Sequence, residues 1–394
     1  MKWLRDILNK VEPEFKNGGK LEKFAPIYEA TDTILFSTDE RTESGPHIRD
    51  SVDIKRVMIL VVLSLIPCYI FGAVNVGYQK SLTHGIDTSW LDNLITGLLS
   101  IGPIIAVTFI SGAFWELLFG VVRKHPISEG FLVTCALIPL TLPPSIPLWQ
   151  VAVATSFGIV IGKEIFGGVG MNIFNPALMA RAFLYFTYPA DISGDKVWAI
   201  SPDGYSGPTA LSIPAGKINA NAIDLLDKAS SELVFDFSWI NMFMGWIPGS
   251  IGETNKWLIL LGALFLIFIG ITSWRIMLGS VLGMTIMSLI TNFLAPFSTN
   301  AMLTIPPHYH LVMGSFMFGT VFMATEPVTG THTDKGRWIY GILIGMLTVI
   351  IRSINPAYPE GIMLAILLMN AFAPLIDYFI VQSNIKKRLL RYAQ

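Results

Sequence analysis

Val57-Met58-Ile59-Leu60-Val61-Val62-Leu63-Ser64-Leu65-Ile66-Pro67-Cys68-Tyr69-Ile70-Phe71-Gly72-Ala73-Val74-Asn75-Val76-Gly77 runs without a single charge. A helix of about twenty such residues, rising about 1.5 Å each, crosses the roughly 30 Å of a bilayer's hydrocarbon. Runs of the same kind return at Trp257 to Ile271 with its flanks and at Arg337 to Ile351. Across the 394 residues 52% are hydrophobic and only 14% charged, about half the charged share of a soluble domain. That balance excludes a soluble enzyme and places the chain in lipid.

Working outward, spans are expected near 57–77, 94–122, 129–142, 148–166, 173–189, 255–274, 276–296, 308–325, 337–353 and 360–380. Several fall short of a full crossing. The segment after Glu129 meets Pro139, Pro143, Pro144 and Pro147, and the one at Asn172 opens on Asn175-Pro176. Broken or half helices are therefore expected, which need protein or water to satisfy their backbone. The first fifty residues are polar and charged, so no cleavable signal peptide is evident. Cys68 and Cys135 sit inside apolar runs and read as buried structural residues, since an iron–sulfur cluster takes about four thiolates. The net charge of −1 and scattered basic residues give no sign of nucleic-acid binding.

Basic residues at the N-terminus, Arg123, Lys124, Arg275, Lys335, Arg337, and Lys386, Lys387, Arg388 and Arg391 belong on the cytoplasmic side by the positive-inside rule. Both termini are then cytoplasmic, and the stretch from about Asp191 to Ser238 lies outside. Asn175-Pro176-Ala177, opening the fifth span inside, recurs as Asn355-Pro356-Ala357, opening the tenth outside, and Gly158 to Gly162 is echoed by Gly341 to Gly345. The expected fold is an all-α membrane protein of about ten transmembrane helices in two inverted five-helix repeats with broken half helices. Its parts are a cytoplasmic arm (1–56), a first repeat (57–189), an external loop (190–254), a second repeat (255–380) and a basic tail (381–394).

Three constellations could carry chemistry. Asp203-Gly204-Tyr205-Ser206-Gly207-Pro208-Thr209-Ala210-Leu211-Ser212 is, from its residues alone, a hydroxyl-rich surface turn. Gly167-Gly168-Val169-Gly170 lacks the strand and Rossmann unit a dinucleotide would need, so these glycines shape a break between membrane segments. Asn172 and Asn175 beside it read equally as caps of a half helix. Glu116, Glu326 and Asp377 are acids in or beside spans, where a central carboxylate costs roughly 2.5–3.5 kcal/mol. Arg123 and Lys124 lie two turns from Glu116 and do not neutralise it at helical spacing. His308 and His310 read as solvated interfacial residues, and Trp3 to Glu29 as a helix for the membrane surface or a partner.

The chain closely resembles the family of B subunits of the Na⁺-translocating NADH:quinone oxidoreductase, and more distantly the D subunits of the Rnf complex. The likeness rests on Gly18 to Lys23, His47-Ile48-Arg49-Asp50, Phe114-Trp115-Glu116, Arg123-Lys124-His125, Gly167 to Ala177, Ser193-Gly194-Asp195 and Pro359-Glu360-Gly361. It implies one member of a six-subunit complex in the bacterial inner membrane, passing electrons towards quinone with Na⁺ export, its NADH site on another subunit. It implies FMN joined through a phosphodiester to Thr209, in a loop with Tyr205, Ser206 and Gly207. Pro208 stands where the family has alanine. It implies non-covalent riboflavin, for which Asn172 and Asn175 are candidates. A quinone region would include Gly112, Ala113, Phe114, Glu129 and Phe131, and a Na⁺ route Glu29, Glu116, Glu326 and Asp377. The rivals are an Rnf-type D subunit and a cofactor-free inverted-repeat transporter or channel.

Overall fold

The computed structural model describes residues 2–15, 19, 21, 25, 28, 54–123, 130–202 and 205–392. Glu29, Lys124, His125, Glu129, Asp203 and Gly204 lie outside them. The described helices are α1 (Lys2–Phe15), α2 (Ile54–Thr83), α3 (Trp90–Arg123), α4 (Gly130–Leu140), α5 (Leu148–Val160), α6 (Pro176–Thr187), α7 (Ala222–Glu232), α8 (Lys256–Ile269), α9 (Trp274–Leu294), α10 (Pro307–Val312), α11 (Asp334–Ile354) and α12 (Ile362–Tyr392), with shorter turns between them. Among the described residues the chain is all-helical, and six helices are long and apolar enough to cross a membrane: α2, α3, α5 with the turn that follows it, α9, α11 and α12.

The remaining apolar segments are short for stated reasons. α4 is 11 residues long and stops at Pro139-Leu140, before the prolines that follow. α6 begins at Pro176 because the Asn175 side chain accepts from the Ala177 and Leu178 N–H groups, while the proline lacks a donor to leave orphaned. α10 ends at Val312, and the chain resumes at Phe316 as a single turn running into π-helical Gly319–Met323. Gly314, at φ +64°, makes that break, a left-handed conformation that glycine alone adopts without cost.

α9 and α11 lie against each other backbone to backbone, since a Cβ on Gly283 would meet the Ile342 carbonyl and one on Gly345 the Ser280 carbonyl. Small residues at such seams permit close approach where lipid supplies no hydrophobic drive. Arg275 at the start of α9 pairs with Asp334 at the start of α11 at 3.2 Å, so these ends share one face. Cys68 and Cys135 are free and buried, as expected from their apolar runs.

Three expectations change. Asn355 does not open the last span: it caps the end of α11 and holds Ala357 N–H, and α12 starts at Ile362. The basic tail is no separate segment, because α12 continues unbroken for 31 residues to Tyr392. The 190–254 stretch is a packed cap rather than an open loop. Ala199, Ala210, Leu211, Phe235, Phe237 and Met242 form an apolar core there with Met302, Ile305, Val312 and Met313.

Candidate functional site

A cleft of about 750 Å³, counting its open mouth, lies where α2, α4, the Gly167–Asn175 turn, α8 and the π-helical segment meet. Its walls are mostly Val57, Val61, Val133, Leu137, Leu266 and Phe322, and into them project Lys163, Asn172, Asn175 and Glu326. Gly167, Gly168 and Gly170 all have φ between +90° and +120°, so the glycine run does turn the chain. That turn brings Asn172 and Asn175 to the cleft.

Asn175 Oδ1 is consumed as the α6 cap, as the capping alternative predicted, and Asn172 Nδ2 donates to the Phe174 carbonyl at 3.1 Å. Both side chains line the same cleft as Glu326, whose Oε2 accepts from Thr329 Oγ1 at 2.8 Å. Two groups of residues read separately in the sequence thus form one polar wall. Adjoining it at Glu326 is a second, polar cleft of about 450 Å³, counting its open mouth, lined by Thr272, Ser273, Thr331, His332 and Arg337. Glu326 is the acid that borders both spaces.

Glu116 finds its cation outside its own helix. Lys163, just past the end of α5, bonds its Oε2 and stands 3.3 Å from Glu164 Oε1, all three side chains being at most 2% exposed. Arg123 donates to the Glu164 carbonyl at 2.7 Å. The neutralising cation comes from another helix, so spacing within α3 did not reveal it. Asp377 accepts from His332 N–H at 2.7 Å, Thr333 N–H at 3.1 Å and Thr333 Oγ1 at 2.5 Å. It ties α12 to the start of α11.

The quinone candidates divide. Gly112 faces inward, where a Cβ would run into Cys135 Sγ and crowd Ile159, while Phe114 is 57% exposed with its ring edge-on to Trp115. Ala113 and Phe131 are half-buried. Gly112 therefore reads as a packing residue of α3 against α4.

Thr209 opens a turn. Its carbonyl accepts from Ser212 N–H at 3.0 Å and Ser212 Oγ at 2.9 Å, and its own Oγ1 accepts from Ser212 N–H at 3.3 Å. Gly207 N–H donates to the Asp195 carbonyl at 2.7 Å, and Tyr205 packs edge-on to Phe235. The threonine is only 8% exposed. The surface turn expected here is a turn, but not at the surface.

A second ionic cluster escaped the sequence reading. Arg352, wholly buried, donates to the carbonyls of His310 and Met313 at 3.0 Å each, to the Glu360 carbonyl at 3.1 Å and to His310 Nδ1 at 3.2 Å. Lys256 Nζ donates to the Gly314 carbonyl at 3.0 Å, and Glu360 Oε2 accepts from Ser315 N–H and Oγ at 3.0 and 2.7 Å. His310 is thus a buried acceptor for arginine, not a solvated interfacial residue; His308 is the exposed one.

These features define a multi-pass helical membrane protein with broken helices around a mixed apolar and polar cleft and with ionisable residues buried at depth. Residues 41–386 match the NQR2, RnfD, RnfE family model. The chain belongs to that family. It is 48% identical to a protein of Chromohalobacter salexigens over 99% of this chain and 97% of that one. It is 48% identical to one of Azotobacter vinelandii and 46% to one of Pseudomonas aeruginosa, each over 98% of this chain and 99% of the relative. All three relatives bear the name of the B subunit of Na⁺-translocating NADH-quinone reductase.

Proposed function

We propose that this chain is the B subunit of a Na⁺-translocating NADH–quinone reductase, an oxidoreductase complex of the bacterial cytoplasmic membrane, with NADH oxidised on another subunit. Near-full-length identity to three relatives of that name supports the reading over an Rnf-type subunit. The single structural observation that carries a cofactor-bearing role is the cleft walled by Lys163, Asn172, Asn175 and Glu326. In it apolar walls surround a few converging polar side chains, the lining that a bound organic ring with polar edges calls for.

The residues fit a non-covalent flavin such as riboflavin. Asparagine amides match the polar edge of an isoalloxazine and Phe322 offers a ring, and hydrogen bonds to such a ring are a lever by which proteins tune a flavin. The bound group would supply one- and two-electron chemistry. What the chain does is hold the ring, exclude water with Val61, Val133 and Leu266, and fix the charges around it. The Na⁺ route runs by Glu326, because hard cations favour carboxylate and hydroxyl oxygens and the polar cleft leads to it. Glu116, Asp377 and Glu29 are weaker stations, the first two being already tied up in ionic and capping bonds. Quinone meets the complex near Ala113, Phe114, Glu129 and Phe131, with Gly112 supporting from behind.

Thr209 carries FMN, with Tyr205, Ser206 and Gly207 as its loop. The hydroxyl has the right chemistry, but the closed packing around it does not fit the group. Two inverted five-helix halves with both termini cytoplasmic complete the reading. In support, α3 packs on α5, α5 on α6 and α4 on α6, just as α9 packs on α11, α11 on α12 and the π-helical segment on α12. The 1–56, 57–189, 190–254, 255–380 and 381–394 division follows from this, with the tail now part of the last helix.

One experiment tests the core. A denaturing gel of the purified complex under ultraviolet light should show a fluorescent band at this chain, absent in Thr209→Ala, and denaturation should release a second, free flavin. A chain with neither flavin overturns the proposal.

A further inference from the structure

We propose that the end of α12 is one half of a helical seam whose partner is an amphipathic helix of another subunit, apolar along one stripe and acidic beside it. This rests on the reading that the chain works inside a complex, and names the surface by which another member reaches it.

α12 is 31 residues long, about 46 Å at about 1.5 Å per residue, against about 30 Å of hydrocarbon. The surplus lies on one side. Asp377 accepts from His332 and Thr333 beside the start of α11. There Asp334 is two-thirds exposed and pairs with Arg275, so water begins at about that level. From Asp377 the helix runs on to Tyr392, and Ile385 and Leu389 stand about 12 and 18 Å further along it. Headgroups add only about 5–7 Å to each side of the hydrocarbon. Even at a tilt of about 40° Leu389 is about 14 Å out. Lipid tails do not reach these two side chains, which are nonetheless 44% and 62% exposed.

The pattern of the helix changes at the same place. Ile362 to Val381 is apolar all round but for Asn370 and Asp377, whereas from Gln382 onward the polar residues leave an apolar stripe. Leu375, Tyr378, Gln382, Ile385 and Leu389 follow at alternating steps of three and four, the a and d positions of a coiled-coil seam with one polar residue to set register. Val381, Asn384, Ile385 and Arg388 line a shallow depression of about 410 Å³, counting its open mouth. Four residues so spaced on one helix form the hole that receives a knob from a facing helix. Lys386 and Arg388 fall at the e and g positions beside the stripe, with Lys387 and Arg391 on the outer side. All four are exposed, no acid follows Asp377, and among the described residues none of the four meets a carboxylate. A partner that answers Lys386 and Arg388 carries Asp or Glu beside its own apolar stripe. A second copy of this chain does not, since it would set its own lysine and arginine against these.

Photo-cross-linking of the purified complex tests this. The photoreactive residue p-benzoylphenylalanine is placed at Leu389, on the stripe, or at Ser383, half a turn away from it. Irradiation should join position 389 to one other subunit, at a segment with apolar residues at steps of three and four and Asp or Glu beside them. Position 383 should give about threefold less of that product, or lower still. Lys386→Gln/Arg388→Gln should lower the yield at 389 by about threefold or more, while Lys387→Gln/Arg391→Gln leaves it near the parent's. In a complex that keeps its subunits, phospholipid adducts alone at 389, a cross-link only within this chain, equal yields at 389 and 383, or an equal effect of the two pairs of substitutions overturns the seam. A preparation in which no other subunit accompanies this chain overturns the reading of a complex, and the seam with it.

Discussion

Replacing Lys163 by methionine keeps an unbranched buried stem and removes the charge between Glu116 and Glu164. Both carboxylates are at most 2% exposed, and Lys163 touches each of them. Arg123, 3.6 Å from Glu164 and about a third exposed, offsets part of the second charge only. Removing one member of a buried ionic group costs about 3–5 kcal/mol, because the remaining charge stays in low dielectric uncompensated. At 1.4 kcal/mol per decade that is a factor of roughly 10² to 4 × 10³ in the folding equilibrium. Unfolding of the purified protein by titrated denaturing detergent, followed by tryptophan fluorescence, reads it directly. The double variant Lys163→Met/Glu116→Gln should recover most of the loss, since one carboxylate is then neutral as well. A single variant within about 1 kcal/mol of the parent, or a double variant no better than the single, would falsify the assignment of this cluster as a neutralising network.

Asn175→Ala removes the α6 cap and a wall of the large cleft together. It should cost about 1 kcal/mol of stability and release the non-covalent flavin on gel filtration, whereas Asn172→Ala should weaken flavin retention with little effect on stability. Glu326→Gln should raise at least several-fold the Na⁺ concentration giving half-maximal quinone reduction by the complex; an unchanged Na⁺ dependence removes Glu326 from the route. Asp377→Asn should cost about 1–3 kcal/mol, because three donors at His332 and Thr333 lose a charged acceptor, and should leave Na⁺ dependence near the parent's. Gly112→Val should impair folding before it touches quinone chemistry, read as lost expression in the membrane, because its side chain has Cys135 and Ile159 in its way.

The helices were legible because apolar length is a local property. Val57 to Gly77 lies within a single helix, and the prolines after Leu140 and at Pro176 mark where segments stop and start. The charged clusters were not legible, because each joins residues whose partners lie far along the chain. Lys163 follows a glycine at the end of one span and Glu116 sits within another, and Arg352, Glu360, Lys256 and His310 each stand near the end of a segment, where solvation is the ordinary expectation. A lysine in so apolar a stretch was the available signal for the first. Thr209 shows the reverse limit. Its turn chemistry is written in the sequence, but nothing there disclosed that Ala210 and Leu211 would join Phe235, Ile305 and Met313 in one buried cluster.

The carbonyls laid open at Met313 and Gly314 are taken by Arg352 and Lys256 of the same chain. Elsewhere among membrane proteins, interrupted helices lend such oxygens to a passing ion; here tethered cations already occupy them. This interruption is therefore a fixed joint rather than a station for traffic, its shape independent of what the complex carries at a given moment. The amides of 313–317 should accordingly rank among the slowest to exchange, with or without Na⁺.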